Sequence, residues 1–446
     1  MNIVERIFRD ADRPAVALIS EGREVTYGSL IEQADAAAVR IASSPATQVG
    51  LDCPNGVAHV ILALAIVRAG KCLVPLASEL SPRERERVIR ETGVGAIVDG
   101  HGEIREVPVA DDLGFDQKAL AALNPAFIRF SSGTTGTSKG IVLSHESLSA
   151  RITAANRGLG IGPADRVLWI LPMAHHFAVS IMLYLLHGAT TIIENSHLAE
   201  DVLAAATTHG GTVLYGAPFH HALLASEGSG RAWSELRLAV STAATLPLAT
   251  ALAFDQRYGV PLAQGLGIIE VGLPLLNLQR PREKPTSVGR PLPDYAAEVR
   301  GEGELFLRGP GMFDAYLHPW RTRAEVLEDG WFHTGDLARI DEDGDIHLLG
   351  RSHSVINVAG LKCFPEEIEA VLCEMPEVRH ARVIGKANAR FGAVPVAEIV
   401  PRDAANPPKI SALAAYCRGA LARYKVPVEF KLVESVPLTP SGKIKR

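Results

Sequence analysis

The sequence predicts an α/β fold. A large N-terminal body of parallel-rich sheets leads into a β-rich region, and a small α+β domain closes the chain. Three observations predict this. Short apolar runs alternate with helical patterns over the first two thirds. Gly- and Asp-rich turns between strand-like runs replace that texture after about Asp294. At 446 residues the chain exceeds one ordinary hydrophobic core, so two or three units are expected.

The elements follow in order. Leu30, Ala34, Ala38 and Ile41 recur at helical spacing. Residues 96–98, 167–171, 190–193, 212–215 and 238–241 are β-branched or apolar and read as strands. Strands separated by helices imply a parallel sheet with helices on both faces. Residues 305–307 and 346–349 read as strands joined through GEGE, LEDG and DEDGD turns. Pro365 with Glu366, Glu367 and Glu369 reads as a helix start, since Pro suits the first helical position and acids suit its positive end. Ser411 reads as the cap of a helix carrying Leu413, Cys417, Ala420, Leu421 and Tyr424. The boundary falls near Arg351–His353, giving a body of residues 1–352 and a small domain of 353–446.

Composition excludes several classes. With 47% hydrophobic and 21% charged residues, the chain can bury a large core, which excludes wholesale disorder. A net charge of −5 without a Lys/Arg block argues against a nucleic-acid partner. The first ten residues are charged and lack an apolar core, unlike a secretory leader. The most apolar stretch, residues 57–67, is too short to span a bilayer. Five Cys without a CxxC pair argue against disulfides and structural zinc, and fit a reducing cytoplasm.

The strongest chemical signal is FSSGTTGTSKG, residues 130–140. Gly lets backbone N–H groups turn toward an anion, and hydroxyls and Lys139 add donors, which suits a polyphosphate. The loop is not a Walker motif, because Lys139 is followed by Gly140. A lone Gly/Ser/Thr loop is most often a plain turn. Here more motifs follow in order: EVTYGSL (24–30), RAGKCLVPL (68–76), LPMAHHF (171–177), QGLGIIE (264–270), GELFLRGP (303–310), GWFHTGDL (330–337), GRSHSVINVAGLKCFPEEIE (350–369) and PLTPSGKIKR (437–446). Together they resemble the adenylate-forming superfamily of acyl- and aryl-CoA synthetases, adenylation domains and luciferases, over nearly the whole chain.

That resemblance implies a two-step reaction. A carboxylate attacks the α-phosphate of ATP, giving acyl-AMP and pyrophosphate. A thiol, of CoA or of a carrier-protein phosphopantetheine acting in trans, then displaces AMP. A mobile small domain turns between the steps. The resemblance assigns the phosphates to Ser131, Ser132, Gly133, Thr134, Thr135, Gly136 and Lys139, and the adenine side to Gly265, Leu266 and Gly267. It assigns Mg2+ to Ser131 and Glu270, the ribose to Asp336, and the ribose or phosphate side to Arg351. Lys443 would bridge the carboxylate and α-phosphate, stabilising the charge that develops in the transition state. His175 would stand at the acid-pocket entrance, with His176, Phe177, Ser180, Tyr215, Gly216, Ala217 and Ala243 around it.

Departures from the family pattern bear on efficiency. Leu266 stands where an aromatic residue is usual, and Ile269 where Thr is usual. Ser131 replaces a Thr, Ser138 a Pro, and His353 an Asp or Lys at the hinge. A non-adenylating acyl-AMP binder is the alternative these raise. Ala178 stands where amino-acid-activating relatives place an Asp, so the expected substrate is a fatty or aromatic acid. Lys362, Lys386 and Arg390 are candidates for CoA phosphates, each otherwise an ordinary surface charge, with Gly360 beside the thiol channel. The chain reads as a trimmed but whole cytoplasmic ligase.

Overall fold

Two large sheets carry the body of the computed structural model, which describes residues 2–110, 112–131, 139–196, 198–351, 354–358, 361–388, 391–438 and 444. The first sheet runs in spatial order Arg290–Pro291, Gly272–Leu276, Leu262–Ile268, Leu238–Ser241, Val213–Gly216, Arg166–Trp169, Thr190–Ile193, Val16–Ser20 and Arg23–Thr26. From Leu262–Ile268 to Val16–Ser20 each neighbouring pair is parallel. The outer pairs are antiparallel. Helices Ala199–Thr208, Pro218–Ala225 and Leu248–Tyr258 follow successive strands, as parallel crossovers require.

The second sheet runs Arg321–Thr322, Ala315–Tyr316, Lys139–Ser144, Pro125–Ser131, Cys72–Pro75, Gln48–Asp52, Val94–Asp99 and Ile104–Glu106. Its centre is parallel, but Pro125–Ser131 and Lys139–Ser144 form an antiparallel hairpin. The expected strands are present at or within two residues of their predicted ends.

Side chains alternate between faces along each strand, and the cores follow that period. Val167, Trp169, Tyr215 and Val240 face the main core, shared with Val49, Leu51, Leu73 and Phe127 of the second sheet. Leu168, Leu214, Ala239 and Leu262 face the opposite side, under Leu203, Leu224 and Phe254 of the covering helices. Helix Val57–Arg68 is apolar nearly all round and lies buried in the main core. Each aliphatic side chain enclosed there contributes about 1.5–3 kcal/mol. Among the described residues no helix is long and apolar enough to cross a membrane. All five cysteines are free thiols.

The β-rich region is an antiparallel sheet of Ala296–Arg300, Glu304–Arg308, Phe332–Ile340 and Ile346–Arg351. Beyond it, strands Ile356–Val358, Leu361–Cys363, Val378–Asn388, Gly392–Pro401 and Glu429–Leu432 make a last sheet. Its core draws on residues from Ile356 to Phe430 alone. Helix Pro365–Cys373 starts on Pro365 with Glu366 and Glu367 in its first turn. Glu369 is not a solvated acid: its Oε1 accepts the Val383 N–H at 2.7 Å. One expectation is corrected. The last helix is Ile410–Ala420, capped at Lys409, so Ser411 lies inside it. It begins as soon as the Pro407–Pro408 pair ends. Leu421 is extended (φ −123°, ψ 151°), which stops the helix before Leu421 and Tyr424.

Candidate functional site

The parallel strands of the first sheet end together at Trp169, Gly216 and Ser241, and Leu262–Ile268 runs on four residues past Gln264, the partner of Ser241. Ligands in α/β folds bind beyond such carboxyl ends. The hairpin of the second sheet ends beside them. Its last register pair is Ser131 opposite Lys139, so residues 132–138 form the connecting loop in sequence. Ser132, Gly133, Thr134, Thr135 and Gly136 lie outside the described residues, as does the Ser131 side chain.

Lys139 and Glu270 meet through a residue that the sequence reading missed. The Lys139 ammonium lies 4.7 Å from the centre of the Tyr316 ring. The Tyr316 hydroxyl donates to Glu270 Oε1 at 3.1 Å. Burial, and then the Glu270 charge, raise the phenol pKa far above its usual value, so it remains a donor. Arg129, two residues before the loop, also faces the Glu270 charge. Loss of water around its guanidinium lowers its pKa to about 10. Glu270 supplies a hard oxygen donor, and the loop sequence adds hydroxyls. That donor set fits Mg2+, which prefers oxygen and shares its shell with phosphates. Another acidic cluster does not fit. Asp341, Asp343 and Asp345 have ligand spacing, but the Lys284 ammonium contacts them at 2.7, 2.6 and 3.1 Å.

A second missed residue fixes the Glu270 turn. Arg151, on helix His145–Leu159, is 1% exposed. It donates to the Ile269 carbonyl and to the Gly311 carbonyl, both at 2.8 Å. The Phe313 N–H then donates to the Glu270 carbonyl at 2.7 Å. Gly311 (φ +68°) presses so close that a Cβ would stand 2.3 Å from the Ser147 carbonyl oxygen. The detectable signal was an arginine among Leu148, Ile152, Ala155 and Leu159 on the apolar face. Leu266 and Ile269, the motif departures, pack against the main core. Gly265 is buried and Gly267 exposed on the same strand.

Asp336 and Arg351, assigned to separate roles, are brought together. They are opposite one another in the β-rich sheet, and Arg351 Nε lies 2.6 Å from Asp336 Oδ1. Asp336 is 7% exposed, and its N–H donates to Thr334 Oγ1. Lys443 and His353 lie outside the described residues, with Gly360, Arg390 and the Lys362 side chain. Lys386 forms an exposed ion pair with Glu429 at 2.9 Å.

The residues that the resemblance assigns to the acid pocket lie on three segments, 175–180, 215–217 and residue 243. Met173–His176 is a short helix, anchored where the Met173 N–H donates to Asn55 Oδ1 at 2.8 Å. A π-helical turn, Phe177–Ile181, follows and buries Phe177, Ala178 and Ser180. Such turns are frequent at functional sites. His175 Nε2 lies 2.7 Å from Glu79 Oε1, and that contact lowers the Glu79 pKa. Tyr215 and His176 both meet Trp169, with ring centres 6.3 and 5.7 Å apart. Ala243 holds φ +73°, a strained conformation for a residue with a Cβ. Gly216 and Ala217 are buried beside His221, whose ring lies 3.4 Å from where a Gly216 Cβ would sit.

The family model described as AMP-binding enzyme matches residues 5–317, and its C-terminal domain model matches residues 367–443. The sulfoacetate–CoA ligase of Cupriavidus necator is 30% identical over 98% of this chain and 94% of its own length. A feruloyl-CoA synthase of Amycolatopsis is 29% identical, covering 96% and 94%. The ATP-bound MatB structure from Rhodopseudomonas palustris superposes with a TM-score of 0.87 at 25% identity, covering 100% and 97%.

Two measurements check this geometry. Arg151→Met should cost about 2–5 kcal/mol, because two buried carbonyls lose their donor. It should also speed hydrogen exchange at the Phe313 amide, and unchanged exchange there would contradict the clamp. His221 makes the stability depend on pH. Burial, and then the His220 charge, lower its pKa from 6.5 to about 3. The unfolded chain therefore takes up a proton near pH 6.5 that the folded chain refuses. The contribution of the neutral ring is full above that pH and falls away on acidification. Between about pH 7 and about pH 4.5 the wild type should lose roughly 2–3 kcal/mol more stability than His221→Gln. Equal losses would contradict it.

Proposed function

The chain belongs to the AMP-binding enzyme family, and on that premise we propose that it activates a carboxylic acid with ATP and passes the acyl group to a thiol. The carrying observation is the contact chain from Lys139 through Tyr316 to Glu270 beside the hairpin loop. It gathers the charges that a nucleoside triphosphate needs at the carboxyl ends of a parallel sheet. Whole-length likeness to CoA ligases supports CoA as the acceptor.

In the first step a substrate carboxylate oxygen bonds to the α-phosphorus of ATP. The bridging bond to the β-phosphate breaks, and pyrophosphate leaves with its electron pair. In the second step the thiol sulfur bonds to the acyl carbon. The bond to AMP breaks, and the thiol proton passes to solvent. Lys139 and the loop hydroxyls hold the outgoing phosphates. Glu270 and Ser131 would hold Mg2+, which neutralises phosphate charge when bound. Asp336 exchanges the Arg351 guanidinium for ribose hydroxyls. Lys443 bridges the reacting oxygens, and residues 353–446 bring it in as a separate moving unit. The substrates ATP and CoA fit a cytoplasmic site, and a carrier-protein pantetheine is the other acceptor of the same chemistry.

Leu266 and Ile269 bear on the rate. Packed on the core, they remove an aromatic stacking face and one hydroxyl from the adenine side. This favours a second reading, an acyl-AMP binder with little adenylation. One experiment separates the two. With ATP, Mg2+, CoA and a panel of fatty and aromatic acids, the wild type should release pyrophosphate only when a suitable acid is present. Lys443→Ala should lower that release by about 10²–10³-fold, the scale of one lost oxyanion donor. It should still convert synthetic acyl-AMP and CoA to thioester. No pyrophosphate with any acid, together with tight acyl-AMP binding, would leave the binder.

A further inference from the structure

We propose that Trp169 plugs the far end of the acid pocket and restricts the enzyme to compact, uncharged monocarboxylic acids: a single ring or a short alkyl chain. This rests on the ligase reading above and names the substrate class of that same pocket.

Trp169 is the last residue of strand Arg166–Trp169 and stands in register with Tyr215 on the neighbouring strand. Paired residues in a parallel sheet point to the same face, and these two rings stack at 6.3 Å and 16°. Tyr184 meets the indole edge-on at 6.1 Å and His176 does so at 5.7 Å. Three rings thus surround the indole.

Burial sets the depth. Trp169 and Phe177 are 0% exposed, Ala178 1% and Tyr184 2%. A channel wide enough for an alkyl chain would leave free surface on its walls, and these side chains have none. His176, Ala243 and Leu266 keep partial exposure, and on this proposal the open part of the pocket lies on their side of the enclosed indole. The π-helical turn Phe177–Ile181 carries Phe177, Ala178 and Ser180 into this packing.

Polarity sets the kind of acid. The Tyr184 hydroxyl lies near Ser180 and that of Tyr215 near Thr242, both neutral side chains. Burial raises the Tyr215 pKa to about 12, so its phenol stays neutral. Trp169, Tyr184, Tyr215, Phe177 and Ala243 offer no charge to a second carboxylate or an amine, and the titratable rings, His176 against the indole and His175 paired with Glu79, lie toward the exposed side. The indole N–H has no hydrogen-bond partner among the described residues.

The test uses the full chain, wild type and the variants Trp169→Ala, Trp169→Leu and Trp169→Phe, each checked by thermal melting. Pyrophosphate release is followed with straight-chain acids from propanoate to dodecanoate, and with benzoate. The wild type should prefer the short acids or benzoate, with kcat/KM for decanoate at least tenfold lower. Trp169→Ala or Trp169→Leu should move the preferred length upward by several carbons, and Trp169→Phe by less. A wild type that uses decanoate as well as butanoate would overturn the proposal. So would a folded Ala or Leu variant with an unchanged length profile. If no acid gives pyrophosphate, the ligase reading fails by itself. The plug is then read from calorimetry with butanoyl and decanoyl sulfamoyl-adenosine. Tighter binding of the short analogue, levelled by Trp169→Leu, supports it, and equal wild-type affinities overturn it.

Discussion

One buried guanidinium ties the body together. Arg151 reaches from the helix after the hairpin to the carbonyls of Ile269 and Gly311, which belong to two other parts of the chain. Taking a charge out of water costs several kcal/mol unless its donors are met. The arrangement therefore holds only while both carbonyls stay in place. Burial lowers the Arg151 pKa to about 10, so the side chain keeps its charge at neutral pH. The Glu270 turn and the Gly311 segment are held by a shared donor rather than by sequence proximity.

The rest of the site follows from that clamp. With Ile269 fixed, Glu270 projects toward Tyr316, and Tyr316 sits on a strand paired to the hairpin. The hairpin delivers Lys139 over the same ring. Phe313 adds a further link, bonding the Glu270 carbonyl and packing against Phe332 on the strand that carries Asp336. Leu266 and Ile269 now have a physical role. They anchor the turn apolarly against the main core.

Much of this was legible in the sequence, for identifiable reasons. Strands such as Leu238–Ser241 and Thr190–Ile193 were plain because buried parallel strands are continuous apolar runs. The glycine- and hydroxyl-rich loop and Glu270 stood out because further motifs follow them in the order of a known family; the loop by itself reads as a plain turn. Arg151 did not stand out, since an arginine in a helix ordinarily reads as solvated. Tyr316 and Trp169 were missed because their roles depend on strand pairing between distant segments, which local pattern does not reveal. The Asp336–Arg351 pair is of the same kind: register across a sheet made two assignments one contact. The start of the last helix was misplaced because cap preference for Ser411 is weaker than the break imposed by Pro407 and Pro408.

The proposed reaction requires that the hairpin, Glu270 and Asp336 surround a single nucleotide. The most direct measurement is a crystal structure with ATP and Mg2+. It should show the β- and γ-phosphates on the loop after Ser131, the ion beside Glu270, and ribose hydroxyls on Asp336 with the Arg351 guanidinium displaced. A nucleotide bound elsewhere, with Glu270 still on Tyr316 and Asp336 still on Arg351, would contradict it.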